Sequence, residues 1–281
     1  MNARFLIIMF LPALAMPVFS QSNNKKTQPA AAGKTAAWTS VQFKQSPPQS
    51  DAEQVKLRLH AIEQPPPYDV TKETFDLLVP KDYKTTVPHG LFIWISAGND
   101  VKISAEWEAV FAEKKIIFIG AKNSGNPRNL FDRARMALDA NVNMRDLYKI
   151  DGRRVYVSGF SGGSRVASML GVAYAEMFSG AACFMGVNFY TDTFGTDQLV
   201  YGTSYIPDDQ VLEMAKKFCR YALITGEKDP NRPNTLGALE TGFKKEGFAN
   251  AQAFDIPAQG HSPPNAEWLR KVIDYLDAGK K

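Results

Sequence analysis

Val155 to Ser158 is a short β-branched and aromatic run. It leads directly into Gly159-Phe160-Ser161-Gly162-Gly163, and Ser164 opens a helical stretch behind it. A G-x-S-x-G pentapeptide between a strand and a helix sets its serine on a tight turn with the hydroxyl exposed, so Ser161 is the candidate nucleophile. Side chains at Gly159 and Gly163 would press on the backbone of such a turn, and Gly162 leaves its amide facing a reacting oxygen. A serine hydroxyl is a poor nucleophile at neutral pH, so it needs a base and an acid that orients the base. The chain has three histidines. His60 precedes the first clear strand. His89 stands at the N-terminal end of a buried strand, whereas parallel sheets form their sites at the carboxyl ends. His261 lies in the loop 257–264, after the last strand and before the last helix, which makes it the candidate base.

The acid belongs at another strand end between the serine and the histidine. Asp229, in the loop 225–231 behind an apolar strand, fits this order best; Glu227 and Asp192 are reserves, and Asp255 sits inside a strand. A tetrahedral intermediate needs two amides aimed at its oxygen. One is the N–H of Gly162, and the other comes from the turn after residues 91–95, where Ala97 and Gly98 are the candidates. The chemistry these types support is acyl transfer to water through a serine ester.

The elements that must position these residues alternate along the chain. Residues 74–79, 91–95, 116–119, 180–184, 221–225 and 252–256 read as strands, with the elbow strand entering at Val155. Residues 107–114, 128–141, 164–174, 211–218, 236–245 and 265–276 read as helices. This βαβα pattern implies an α/β fold with a mostly parallel sheet and helices on both faces. Residues 188–209 join a strand to a helix and contain Tyr190, Phe194, Tyr201 and Tyr205, too short a stretch for a large cap domain but long enough to wall a cleft or pack on the core.

Residues 1–20 have the pattern of a signal peptide, with Arg4, an apolar core and a small-residue exit at Ser20. The run is short for a bilayer span and contains Pro12, so a stable membrane anchor is not expected. Residues 21–50 read as a flexible leader and residues 51–281 as one catalytic domain. The formal charge of +4 falls to +3 without Arg4, and the basic residues are scattered, which gives no support for nucleic-acid binding. Cys183 and Cys219 form no metal motif; a disulfide and two separate core thiols both stay open. The expected location is periplasmic or secreted.

The stretch from Ile150 through Gly163, with the order Ser161, Asp229, His261, resembles the α/β-hydrolase superfamily over residues 70–276. Within it the chain is similar to secreted esterases grouped with polyhydroxybutyrate depolymerases and feruloyl esterases. The resemblance implies an α/β-hydrolase fold, no cofactor, and a small-molecule or saccharide ester as substrate. Many such proteins carry His-Gly at the oxyanion turn, where this chain has Ser96-Ala97-Gly98. A serine peptidase of the same fold and a non-catalytic binding protein that retains it are the alternatives.

Overall fold

The computed structural model describes residues 38–280. The expected signal peptide and residues 21–37 of the leader lie outside the described residues.

Ten strands and seven α-helices follow one another as β1 (Trp38–Val41), α1 (Ala52–Arg58), β2 (Phe75–Leu78), β3 (His89–Ile95), α2 (Ala105–Glu113), β4 (Ile116–Ala121), α3 (Leu130–Leu147), β5 (Ile150–Phe160), α4 (Gly162–Ala173), β6 (Gly180–Phe184), β7 (Thr193–Phe194), β8 (Val200–Tyr201), α5 (Asp209–Phe218), β9 (Arg220–Gly226), α6 (Arg232–Gly237), β10 (Ala251–Ile256) and α7 (Ala266–Asp277). Eight strands form one sheet in the order β1-β2-β4-β3-β5-β6-β9-β10, with β7 and β8 paired as a separate hairpin. From β4 to β10 every neighbour is parallel, while β1 and β2 run antiparallel at one edge. The parallel strands are apolar on both faces because helices cover both. On one face Leu91, Ile93, Val155, Val157 and Leu223 pack under α3, α4 and α5; on the other Phe92, Trp94, Tyr156, Phe184 and Ile224 pack under α2 and α7.

The leader expected over residues 21–50 ends earlier than the sequence suggested. Trp38–Val41 pairs with β2, and residues 48–72 run as a strap across α3. The reason is visible in α3, which is buried all round through its central turns. Its polar side chains have found partners in the strap. Asp139 accepts from Ser50 Oγ at 2.7 Å and from Tyr68 Oη at 2.6 Å, and Arg135 donates to the Pro66 carbonyl at 2.7 Å. Burial pushes the Asp139 carboxyl above the ordinary range. The strap therefore folds by satisfying buried polar groups as much as by covering apolar surface.

The two cysteines are separate thiols, both buried. Cys183 pairs in register with Leu223, four positions along the neighbouring strand from Cys219. At about 3.3 Å per residue this separation is well beyond disulfide reach.

The turn from β5 into α4 is the tightest packing in the molecule's centre. Ser161 has φ 54° and ψ −119°, a conformation L-residues avoid, and its N–H donates to the Phe184 carbonyl at 2.8 Å. A Cβ at Gly159 would stand 2.5 Å from the Gly163 carbonyl carbon and 2.6 Å from the Ile95 oxygen; one at Gly163 would stand 1.9 Å from that same oxygen. A Cβ at Gly162 meets only a side chain, with Asn126 Oδ1 at 2.0 Å.

The strap and the elbow each have measurable consequences. Asp139→Ala strands Ser50 and Tyr68 without their shared acceptor and lowers unfolding free energy by roughly 2–4 kcal/mol in urea titrations. Gly159→Ala and Gly163→Ala force backbone apart and cost about 3 kcal/mol or more. Gly162→Ala costs about 1 kcal/mol, and pairing it with Asn126→Ala recovers most of that loss in the same titrations.

Candidate active site

The sheet brings Ser161, Asp229 and His261 together at the carboxyl edge of its strands. Ser161 Oγ lies 2.9 Å from His261 Nε2, and His261 Nδ1 lies 2.7 Å from Asp229 Oδ1. Asp229 is buried and its remaining capacity is filled: Oδ2 accepts from Thr225 Oγ1 at 2.9 Å, and Oδ1 accepts from the Asn231 N–H at 3.0 Å. A carboxylate held in this way accepts from Nδ1–H and leaves Nε2 as the acceptor for the serine hydroxyl.

Each member is held by its own element. Ser161 is fixed by the turn into α4. Asp229 follows β9, in a turn closed by its own N–H to the Gly226 carbonyl and by the Arg232 N–H back to the Asp229 carbonyl. The His261 loop is tied to the acid loop through the Lys228 N–H and the Gln259 carbonyl at 2.9 Å. It is tied to α2 by Trp107 Nε1, which donates to the Pro264 carbonyl at 2.7 Å. The Phe160 ring lies against the imidazole, with centroids 4.9 Å apart.

The other titratable candidates are engaged elsewhere. Glu227 accepts from the Ala258 N–H at 2.7 Å, Asp192 accepts from Thr203 across the base of the β7–β8 hairpin, and Asp255 pairs with Arg232. His89 is buried at the start of β3, and His60 Nδ1 contacts the Ile206 carbonyl.

The turn after β3 is closed on itself. Ser96 Oγ donates to the Asp100 carbonyl and accepts from the Gly98 N–H at 3.1 Å, so the Gly98 amide is turned into its own loop. The Ala97 N–H meets no protein acceptor among the described residues. Its direction is set by Arg133, whose Nη2 donates to the Ser96 carbonyl at 3.0 Å. The Ser96–Ala97 peptide is planar and trans, so a carbonyl drawn toward Arg133 points the Ala97 N–H the opposite way. Gly162 opens α4, where a first-turn N–H has no intrahelical acceptor.

Asn126, Arg133, Thr225 and Asn231 are site residues that the sequence did not single out. Asn126 packs its amide where a side chain on Gly162 would be, and its N–H donates to the Ala97 carbonyl at 2.9 Å. Arg133 did leave a signal, a charge three residues after Leu130 and four before Ala137 within an apolar stripe. Among the described residues no helix is long and apolar enough to cross a membrane, and no group of three or more His, Cys, Asp or Glu is placed to hold a metal ion.

No protein-family model and no curated protein matches the chain. Among solved structures it is similar to Est1E from Butyrivibrio proteoclasticus, with TM-score 0.51 and 15% identity over 74% of this chain and 93% of that one. It is similar to the S-formylglutathione hydrolase FrmB from Staphylococcus aureus, with TM-score 0.53 and 12% identity over 88% of this chain and 96% of that one. A hyperthermophilic esterase from the archaeon Pyrobaculum calidifontis aligns with TM-score 0.53 and 15% identity, over 73% and 81% of the two chains. With the strand order and the elbow already described, these similarities establish that the chain has the α/β-hydrolase fold.

Proposed function

We propose that the chain is an exported serine carboxylesterase that hydrolyses a small ester, including an acyl or feruloyl ester carried on a polysaccharide. The observation that carries this reading is the continuous relay from Asp229 Oδ1 through His261 to Ser161 Oγ, with both hydrogen bonds under 3 Å. Similarity in fold to proteins described as esterases supports the same direction. The export part rests on the signal-like pattern of residues 1–20.

In the proposed mechanism Ser161 Oγ attacks the ester carbonyl carbon while His261 Nε2 takes the hydroxyl proton. The carbonyl oxygen becomes an oxyanion facing the Gly162 and Ala97 amides. Collapse breaks the bond to the alcohol, which leaves with the proton from Nε2, and Ser161 stays acylated. Water then attacks the acyl group, gives its proton to Nε2, and the acid departs as Nε2 returns that proton to Oγ. Asp229 holds the imidazole in orientation and stabilises its charged form in both halves. Ser161 is half-buried and His261 exposed, so an ester reaches the hydroxyl from solvent.

Turnover of 4-nitrophenyl acyl esters against aminoacyl 4-nitroanilides tests the reading. Ester hydrolysis is expected, and amide hydrolysis at a comparable rate would move the assignment to a peptidase. Ser161→Ala abolishes both turnover and labelling by a fluorophosphonate. Asp229→Asn lowers kcat on the order of 10³–10⁴-fold, with far smaller change in KM. A wild-type protein that neither labels nor turns over any ester would favour a binding protein on this fold.

A further inference from the structure

Arg165 lies one helical turn after Ser161, and its guanidinium is clamped between two loops of the site. Nη1 donates to the Val187 carbonyl at 3.0 Å and to Asn188 Oδ1 at 3.2 Å, and Nη2 donates to Asn231 Oδ1 at 3.3 Å. All three acceptors are neutral. A guanidinium has five N–H donors, so the Nε–H and the second Nη2–H remain. These two form the side-on edge that meets a carboxylate with two parallel hydrogen bonds.

The molecule uses that edge elsewhere for this purpose. Arg154 grips Asp277 through Nε at 2.9 Å and Nη2 at 2.7 Å, and Arg232 grips Asp255 through Nε at 3.0 Å and Nη2 at 2.6 Å. Among the described residues Arg165 has no acidic partner within ion-pair distance. Burial pushes its guanidinium pKa down, opposed by the attraction of Tyr201 and of the Asp229 carboxylate, neither of which is hydrogen-bonded to it. The polar residues around it, Asn188, Tyr201 and Asn231, are each half-buried, as are Arg165 and Ser161. Gly186 packs beside this edge: a Cβ there would lie 3.5 Å from Arg165 Nε and 3.0 Å from the Ser161 carbonyl oxygen.

From this geometry we infer that the site takes an ester bearing a carboxylate, which the free edge of Arg165 grips with two hydrogen bonds while the ester carbonyl lies at Ser161. The inference rests on the esterase reading and deepens it by naming the substrate's charge. A fixed guanidinium loses little conformational freedom on binding, so its attraction goes into selecting the anionic ester over its neutral analogue. The class includes esters on acidic saccharides and half-esters of dicarboxylic acids.

The test compares kcat/KM on two matched pairs. The acyl pair is 4-nitrophenyl hydrogen succinate against 4-nitrophenyl butyrate, and the alcohol pair is 4-acetoxybenzoate against 4-acetoxybenzamide. In at least one pair the wild-type chain is expected to favour the anionic ester by about tenfold or more, with the preference shrinking at high salt. Arg165→Gln is expected to lower that ratio about tenfold, and Arg165→Lys to restore part of it. Thermal melts of the variants establish that they are folded. A wild-type ratio near one in both pairs overturns the inference while leaving the esterase reading intact. Equal loss on both members of a pair in Arg165→Gln also overturns it, because Arg165 would then only staple the Asn231 loop beneath Asp229. Absence of turnover on all four esters together with absence of fluorophosphonate labelling overturns both readings.

Discussion

The strained backbone of Ser161 is the constraint on which the rest depends. Its φ of 54° and ψ of −119° cost about 1–3 kcal/mol relative to a relaxed turn, and nothing local to the residue compensates. The compensation comes from two neighbouring strands. The Phe184 carbonyl at the end of β6 accepts the Ser161 N–H, while the Ile95 carbonyl at the end of β3 packs where side chains on Gly159 and Gly163 would be. β5 lies between β3 and β6 in the sheet, so both supports are delivered by the same parallel ladder. The elbow is thus a property of three adjacent strand ends, and a relaxed turn would require the ladder to open.

The same strand ends launch the loops that carry the other groups, so the site inherits the rigidity of the sheet. β9 neighbours β6 and delivers Asp229; β10 neighbours β9 and delivers His261. Each loop is short and tied to the next by backbone hydrogen bonds, which limits drift of the imidazole between its two partners. Positioning of this kind matters because small displacements in a proton-transfer relay translate into large rate losses.

Much of this was legible before any coordinates. The elbow strand and the central parallel strands follow from apolar runs and glycine placement, His261 from the direction of parallel sheets, and Asp229 from the chain order of the architecture that the elbow implies. The strap was not legible, because Asp132, Arg135 and Asp139 on α3 look like a solvated face. All three are buried, and the partners of Arg135 and Asp139, namely Pro66, Ser50 and Tyr68, lie some 70 to 90 residues earlier in a proline-rich stretch with no periodicity. A polar residue gives no sign in sequence of whether water or a distant carbonyl will satisfy it. The supports of the relay were hidden for the same reason: Thr225 reads as the end of a strand and Asn231 as a turn residue, and only the fold shows both bonded to Asp229. The hairpin of β7 and β8 was missed because two-residue strands fall below any periodic signal.

Arg133 is a charge buried at cost beneath the turn after β3. It is buried, it has no carboxylate partner among the described residues, and burial pushes its guanidinium pKa down. Replacing water around a guanidinium with neutral acceptors is unfavourable by several kcal/mol unless those acceptors are well placed. One of them is the Ser96 carbonyl, which belongs to the same peptide unit as the Ala97 N–H. A cation bonded to a carbonyl draws density from the whole amide and makes its N–H a stronger donor, as in any hydrogen-bonded chain. In the proposed mechanism the charge would act on an incoming oxyanion twice, through space and through the polarised amide. In a chain with Ser96-Ala97-Gly98 at this turn, a buried guanidinium beneath the peptide is the physical means by which that N–H donor is reinforced.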